Sequence, residues 1–143
     1  MKVLSLLGFM AMVAALVALW SRHALFSPQA SVIILQLAAV ALMIWARVTF
    51  GMRSFHASAN PTAGGLVTTG PYHFVRHPIY ASICLFLWAT VLGHAGIVTS
   101  LLGLLGTAGA LARIYCEERL LIRQYPSYRE YAEYTKRLLP GVW

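Results

Sequence analysis

The chain has 143 residues, of which 59% are hydrophobic and only 10% charged, and it carries a formal net charge of +7. That balance, with its positive mean hydropathy, excludes a soluble domain and points to an integral membrane protein whose helices pack in lipid. The basic excess needs no nucleic acid, because basic residues beside membrane spans face anionic headgroups, and no nucleic-acid motif is visible.

Apolar runs of about 17 to 25 residues can cross a bilayer as helices, the only open structure whose backbone satisfies its own hydrogen bonds in lipid. Four runs fit that pattern: Val3 to Trp20, Ser31 to Phe50, Ile79 to Leu92 and Gly96 to Tyr115. Lys2 and the small residues Ala14 and Ala15 would also suit a signal peptide, but the run is long for one and Trp20 sits where an interfacial aromatic belongs. A retained helix is the expectation. The third run is short, at about 14 residues, and needs its flanks or neighbours to complete the crossing.

Four spans place Lys2, Arg47, Arg53, Arg76 and the six basic residues from Arg113 onward on one side, with Arg22 alone on the other. The positive-inside rule then puts both termini and the loop from Gly51 to Pro78 in the cytoplasm, as expected of a bacterial inner-membrane protein. Cys84 and Cys116 read as free thiols in a reducing setting, packed as small apolar side chains. The chain forms one domain, with an anchor hairpin over residues 1–50 and a loop, hairpin and tail over 51–143.

The loop holds the unusual chemistry. Asn60-Pro61, Gly64-Gly65 and Gly70-Pro71 are turn dipeptides, so the segment bends repeatedly. A residue before proline avoids the helical region, which makes His77 extended while Pro78 suits a first helical turn. Arg76 and His77 therefore stand at a helix N-terminus, where unpaired backbone donors and the helix dipole favour an anion and a guanidinium can grip a carboxylate. Snorkelling to headgroups is the plainer alternative.

Beyond the fourth run, Arg113, Cys116, Glu117, Leu120, Leu121 and Arg123 carry the helix out of the membrane. The chain's acidic residues are Glu117, Glu118, Glu130 and Glu133, all in the tail. Carboxylates near membrane depth are costly and mark candidate function, although an ion pair between Arg113 and Glu117, one turn apart, is the structural alternative. Tyr128, Tyr131 and Tyr134 recur every third residue and share a slowly drifting face of a short helix. Trp143 reads as an interfacial aromatic.

The run Leu66 to Tyr80, ending Arg76-His77-Pro78-Ile79-Tyr80, the Glu117-Glu118 pair one hairpin later, and a tyrosine-rich tail closing on Leu139-Pro140 together resemble the isoprenylcysteine carboxyl methyltransferase and phospholipid methyltransferase family. The resemblance covers roughly residues 50 to 143. It implies an all-α polytopic membrane enzyme that binds S-adenosylmethionine at the cytoplasmic face. Tyr72, Arg76, His77, Tyr80, Glu117, Glu118 and Tyr128 would form the cofactor site, with Glu117 and Arg123 at the reacting centre and no metal. The second and third helices would frame a lipid-facing entrance. Ala81-Ser82 and Tyr125-Pro126 depart from the family's usual glycines.

The implied acceptor is a lipophilic small molecule or lipid, with a carboxylate favoured and an amine or thiol as alternatives. A carboxylate needs only orientation, for which Arg123 or Arg76 would serve, whereas an amine or thiol favours a base such as Glu117, Glu118 or His77. A nicotinamide-dependent membrane reductase and a non-catalytic membrane subunit are the competing classes. The first lacks a glycine-rich phosphate cradle, and the second leaves the clustered charges without a purpose.

Overall fold

The computed structural model describes residues 1–51 and 65–141. Arg53, the Asn60-Pro61 turn, Gly64 and Trp143 lie outside the described residues. Among the described residues five α-helices follow in order: α1 Lys2–Ser21, α2 Ala30–Phe50, α3 Pro78–Gly93, α4 Ile97–Gln124 and α5 Tyr128–Tyr134, with a 3₁₀ turn at Gly70–His73. The protein is an all-α membrane bundle.

Among the described residues three helices, α1, α2 and α4, are long and apolar enough to cross a membrane. With 16 residues, α3 extends only about 24 Å at 1.5 Å per residue, short of a hydrocarbon core of about 30 Å. It is instead sheathed by its neighbours, packing on α2 along one side and α4 along the other, while α1 packs along α4. The first two helices thus attach chiefly to the second hairpin, each to its own partner.

Helices in lipid gain little from the hydrophobic effect and associate through close packing of small residues. The buried stripe of α1 is Ser5, Gly8, Met12, Ala15 and Leu19, and it meets Gly106, Gly109, Ala110 and Arg113 on α4. At the closest crossing a Cβ on Gly109 would lie 2.5 Å from the carbonyl oxygen of Gly8. Only glycine on both helices allows that approach. The outward faces carry Leu7, Ile34, Leu37, Val48, Ile97 and Leu101, exposed apolar side chains suited to acyl chains.

One end of the bundle is closed by the connection from α1 to α2 and the turn between α3 and α4. Gln36 Nε2 donates to Leu25 O at 2.8 Å and to Thr90 Oγ1 at 3.1 Å, so a buried amide fastens that connection to α3. Polar groups left unsatisfied in hydrocarbon cost several kcal/mol, roughly, and these are paired. The opposite end gathers the start of α1, the ends of α2 and α4, the start of α3 and the tail. Among described residues it holds every lysine and arginine except Arg22.

Candidate active site

Local sequence sets up the start of α3. Gly70 adopts φ +57°, a conformation that suits glycine, with Thr49 and Trp45 of α2 pressed against it. Pro71 then opens the 3₁₀ turn, whose Tyr72 is buried and stacks on Phe50 at 5.5 Å. His77 caps α3 at φ −128° and ψ 59°, outside the helical region as a residue before proline should be.

The tail returns to this point. Val75 and Lys136 form a parallel bridge, Arg76 N donates to Lys136 O at 2.7 Å, and His77 N donates to Arg137 O at 3.1 Å. The Arg76 side chain then reads three acceptors at once. Its Nε lies 3.0 Å from Glu118 Oε1, and its Nη1 donates to Ala132 O at 2.7 Å and to Thr135 O. The guanidinium fork thereby caps carbonyls at the end of α5, a use of planar geometry unavailable to lysine.

Glu118 is the hub of the site. Besides Arg76 it receives His77 Nε2 at 3.4 Å, the Tyr128 hydroxyl at 3.4 Å and Arg137 Nε at 3.0 Å. These partners come from the loop, the α3 cap, α5 and the tail, so one carboxylate joins four segments to α4. Tyr128 is buried, and burial together with the neighbouring Glu118 charge raises its phenol well above the ordinary value, keeping it a donor. Tyr131 donates to Tyr72 O, tying α5 to the 3₁₀ turn.

Glu117 lives in a different environment. The Tyr80 hydroxyl donates to its Oε1, and Arg113 Nη2 lies 3.4 Å from the same oxygen. Its Oε2 faces His77 Nδ1 at 3.8 Å, beyond hydrogen-bond length, and its side chain remains 25% exposed. Arg113 is buried: its Nε donates to the Tyr80 hydroxyl at 2.7 Å, its Nη1 points to Ser5 O at 3.5 Å, and its guanidinium sits 5.5 Å from the Phe9 ring centroid. Desolvation strengthens such a charged pair when every donor is met.

Of the residues singled out from sequence, Arg76, His77, Tyr80, Glu117, Glu118 and Tyr128 come together here, and Tyr72 borders them. Arg123 does not join them. It lies five and six positions beyond the carboxylates, roughly 120–140° around the helix, and it is exposed in the last turn of α4. Tyr134 is likewise exposed, because a three-residue step drifts about 60° and carries it off the face of Tyr128. Sequence reasoning had Arg113 only as a one-turn ion pair with Glu117 and gave Arg137 no site role. A buried arginine inside an apolar run was the available signal for the first, whereas nothing local marks Arg137.

The arrangement presents both signs of charge at one end of the bundle, with Glu117 the less enclosed of the two adjacent carboxylates. A profile described as the isoprenylcysteine carboxyl methyltransferase (ICMT) family matches residues 30–123, more than half of the chain. It spans α2 to α4 and so includes Arg76, His77, Tyr80 and both glutamates, while α1 and the tail residues Tyr128 and Arg137 fall outside it. Among curated proteins, the nickel-cobalt-cadmium resistance protein NccN of Alcaligenes xylosoxydans xylosoxydans is 40% identical over 80 residues, covering 54% of this chain and 37% of that protein. The cobalt-zinc-cadmium resistance protein CzcN of Cupriavidus metallidurans is 37% identical over 80 residues, covering 54% of this chain and 36% of that protein. The match thus spans little more than a third of either relative. No solved structure matches the chain.

Proposed function

This chain belongs to the isoprenylcysteine carboxyl methyltransferase family, and we propose that it is a membrane methyltransferase that uses S-adenosylmethionine to methylate a lipophilic acceptor at the membrane's cytoplasmic face. The observation that carries the reading is the meeting of Arg76, His77 and Tyr80 with Glu117 and Glu118 at one end of the bundle.

The donor set fits the cofactor's charges. Glu117, open on one side, suits an ammonium or sulfonium, and the faces of Tyr80 and Tyr72 would add cation–π attraction. His77 and the first turn of α3, where a helix leaves its backbone donors unpaired, suit a carboxylate. Arg76 already serves Glu118 and two tail carbonyls, so its part is to hold the wall of the site. The cofactor, when bound, supplies a methyl group activated on positive sulfur.

The chain's contribution is then alignment and exclusion of water, the main requirements of an in-line displacement. Tyr80, pinned between Arg113 and Glu117, fixes the orientation of the open carboxylate. Arg113, rather than the exposed Arg123, is the arginine beside it. A carboxylate acceptor would need a cation for orientation, and an amine or thiol acceptor would find a proton acceptor in Glu117. Basic residues crowding this end support its cytoplasmic placement.

Calorimetry on detergent-purified protein tests the reading. Wild-type chain binds S-adenosylmethionine, and Arg76→Ala, His77→Ala and Glu117→Ala each weaken that binding at normal expression. Binding of a nicotinamide cofactor instead would overturn it. Screening lipophilic acceptors with methyl-labelled cofactor then identifies the acceptor.

A further inference from the structure

We propose that the lipid-facing side of α4 ends in a phospholipid-phosphate site, formed by Arg119 and Arg123 with Tyr115 beneath them, that holds one anionic lipid of the surrounding leaflet. The site faces away from the two glutamates and is independent of the cofactor reading.

An apolar stripe leads to it. The exposed side of α4 runs through Ile97, Leu101, Leu104, Leu111 and Tyr115, at the steps that keep to one helix face. From Ile97 to Tyr115 the helix rises about 27 Å at 1.5 Å per residue, close to a hydrocarbon core of about 30 Å. Tyr115 therefore stands at the interface, where tyrosine is favoured, and Arg119, one turn further on, reaches the level of the phosphates.

Both arginines are exposed. Four positions apart, they share that side of the helix with about 5–6 Å between their Cβ atoms, and like charges at this spacing repel. Among the described residues neither has a carboxylate partner. Glu117 and Glu118 lie roughly 100–160° around the helix from either arginine, and they are met instead by Arg113, Arg76 and Arg137. The dipole at the end of α4 accounts for a cation at Arg123, but it gives no reason for a second one turn earlier on the lipid-facing stripe.

An anion between the two relieves the repulsion. The Arg119 guanidinium rests over the Tyr115 ring, 5.2 Å from its centroid. A ring holds a guanidinium through its face and leaves the N–H fork for oxygen acceptors. Two forks one turn apart match a phosphodiester, whose unesterified oxygens can take a donor from each. The acyl chains of the same lipid then lie along Leu111, Leu104 and Leu101.

Intact-mass spectra of the full chain in micelles, titrated with phosphatidylglycerol or with phosphatidylcholine of the same acyl chains, test the site. The wild-type chain retains one phosphatidylglycerol about thirtyfold more tightly than phosphatidylcholine, at about fivefold per surface arginine. Arg119→Gln and Arg123→Gln each lower that preference about fivefold, and the double variant abolishes it. Glutamine matches arginine in helix propensity, so α4 is retained. Arg129→Gln, an equal loss of charge at an exposed position of α5, leaves the preference unchanged. Equal retention of the two lipids by the wild-type chain overturns the proposal. So does a loss in Arg129→Gln as large as those in the α4 variants, which would reduce the effect to net charge. Dimers that vanish in the double variant would assign this face to a second copy of the chain and overturn it too.

Discussion

Arg113→Met tests whether the charged end of the bundle is a buried network or a decorated surface. Arg113 and Glu117 lie one turn apart on α4, and an exposed pair at that spacing contributes only about 0.3–0.5 kcal/mol. The Arg113 side chain, however, is 6% exposed and donates to Tyr80 at 2.7 Å. Breaking a fully buried pair by deleting one partner costs roughly 3–5 kcal/mol. Glu117 keeps its Tyr80 bond and is 25% exposed, so water screens part of that loss, leaving an expected destabilisation of about 2–3 kcal/mol. Reversible unfolding in mixed detergent micelles measures it. Arg113→Met combined with Glu117→Gln removes the stranded charge and recovers about 1 kcal/mol or more relative to additivity. A loss below about 0.5 kcal/mol, or strict additivity in the double variant, refutes the argument.

Four further outcomes follow from the same structure. Gly109→Ala places a Cβ 2.5 Å from Gly8 O, so α1 must retreat by about 0.9 Å to reach ordinary contact. Overpacking of about 1–3 kcal/mol, partly offset by about 1 kcal/mol of helix propensity, lowers stability in the same unfolding assay. Gly96→Ala meets Thr99 Oγ1 at 3.6 Å and His94 O at 3.9 Å, both ordinary contacts, and stays within about 0.5 kcal/mol of wild type. Arg123→Ala leaves S-adenosylmethionine affinity unchanged in calorimetry, and a loss comparable to that of Arg76→Ala would put Arg123 back beside the carboxylates. Burial pushes the Tyr131 phenol from 10.0 up to about 12. A raised phenol contributes stability that is fully present below pH 10 and lost as the pH climbs towards 12. Ultraviolet titration against Tyr131→Phe therefore shows one late-ionising phenol, and a difference spectrum complete by about pH 10 contradicts it.

The helices were legible because lipid imposes a simple rule on length and composition. The run Ile79 to Leu92 falls within one residue of α3 at each end, since Pro78 and the glycines at Gly93 and Gly96 punctuate it. The continuation of the fourth run through Arg123 was readable too, and α4 ends one residue later. Pairing of helices was not readable. The composition of α1 says that small residues line one face, but not that α4, far along the chain, carries the matching glycines.

The site divides in the same way. Placing Arg76 and His77 at a helix start needed only proline chemistry, and grouping them with Glu117 and Glu118 needed the family resemblance. The resemblance brought Tyr128 to the site, but the tail's return along the loop was beyond reach, because the backbone pairing between Val75 and Lys136 leaves no periodic trace. The sequence showed a cation at Arg137, but not the strand-like return that carries it back to α4.

That return also explains why the charged end holds together. Two adjacent carboxylates at the membrane interface are costly together, and α4 alone supplies only Arg113 as a buried counter-charge. Arg76 and His77 arrive through the loop and Arg137 through the tail. The polar end of the bundle is therefore completed by segments that lie outside the membrane spans, so the site's electrostatics and the docking of the tail are one event. The two glutamates can sit side by side because Glu117 is faced by Arg113 and Glu118 by Arg76 and Arg137, with His77 between the two carboxylates.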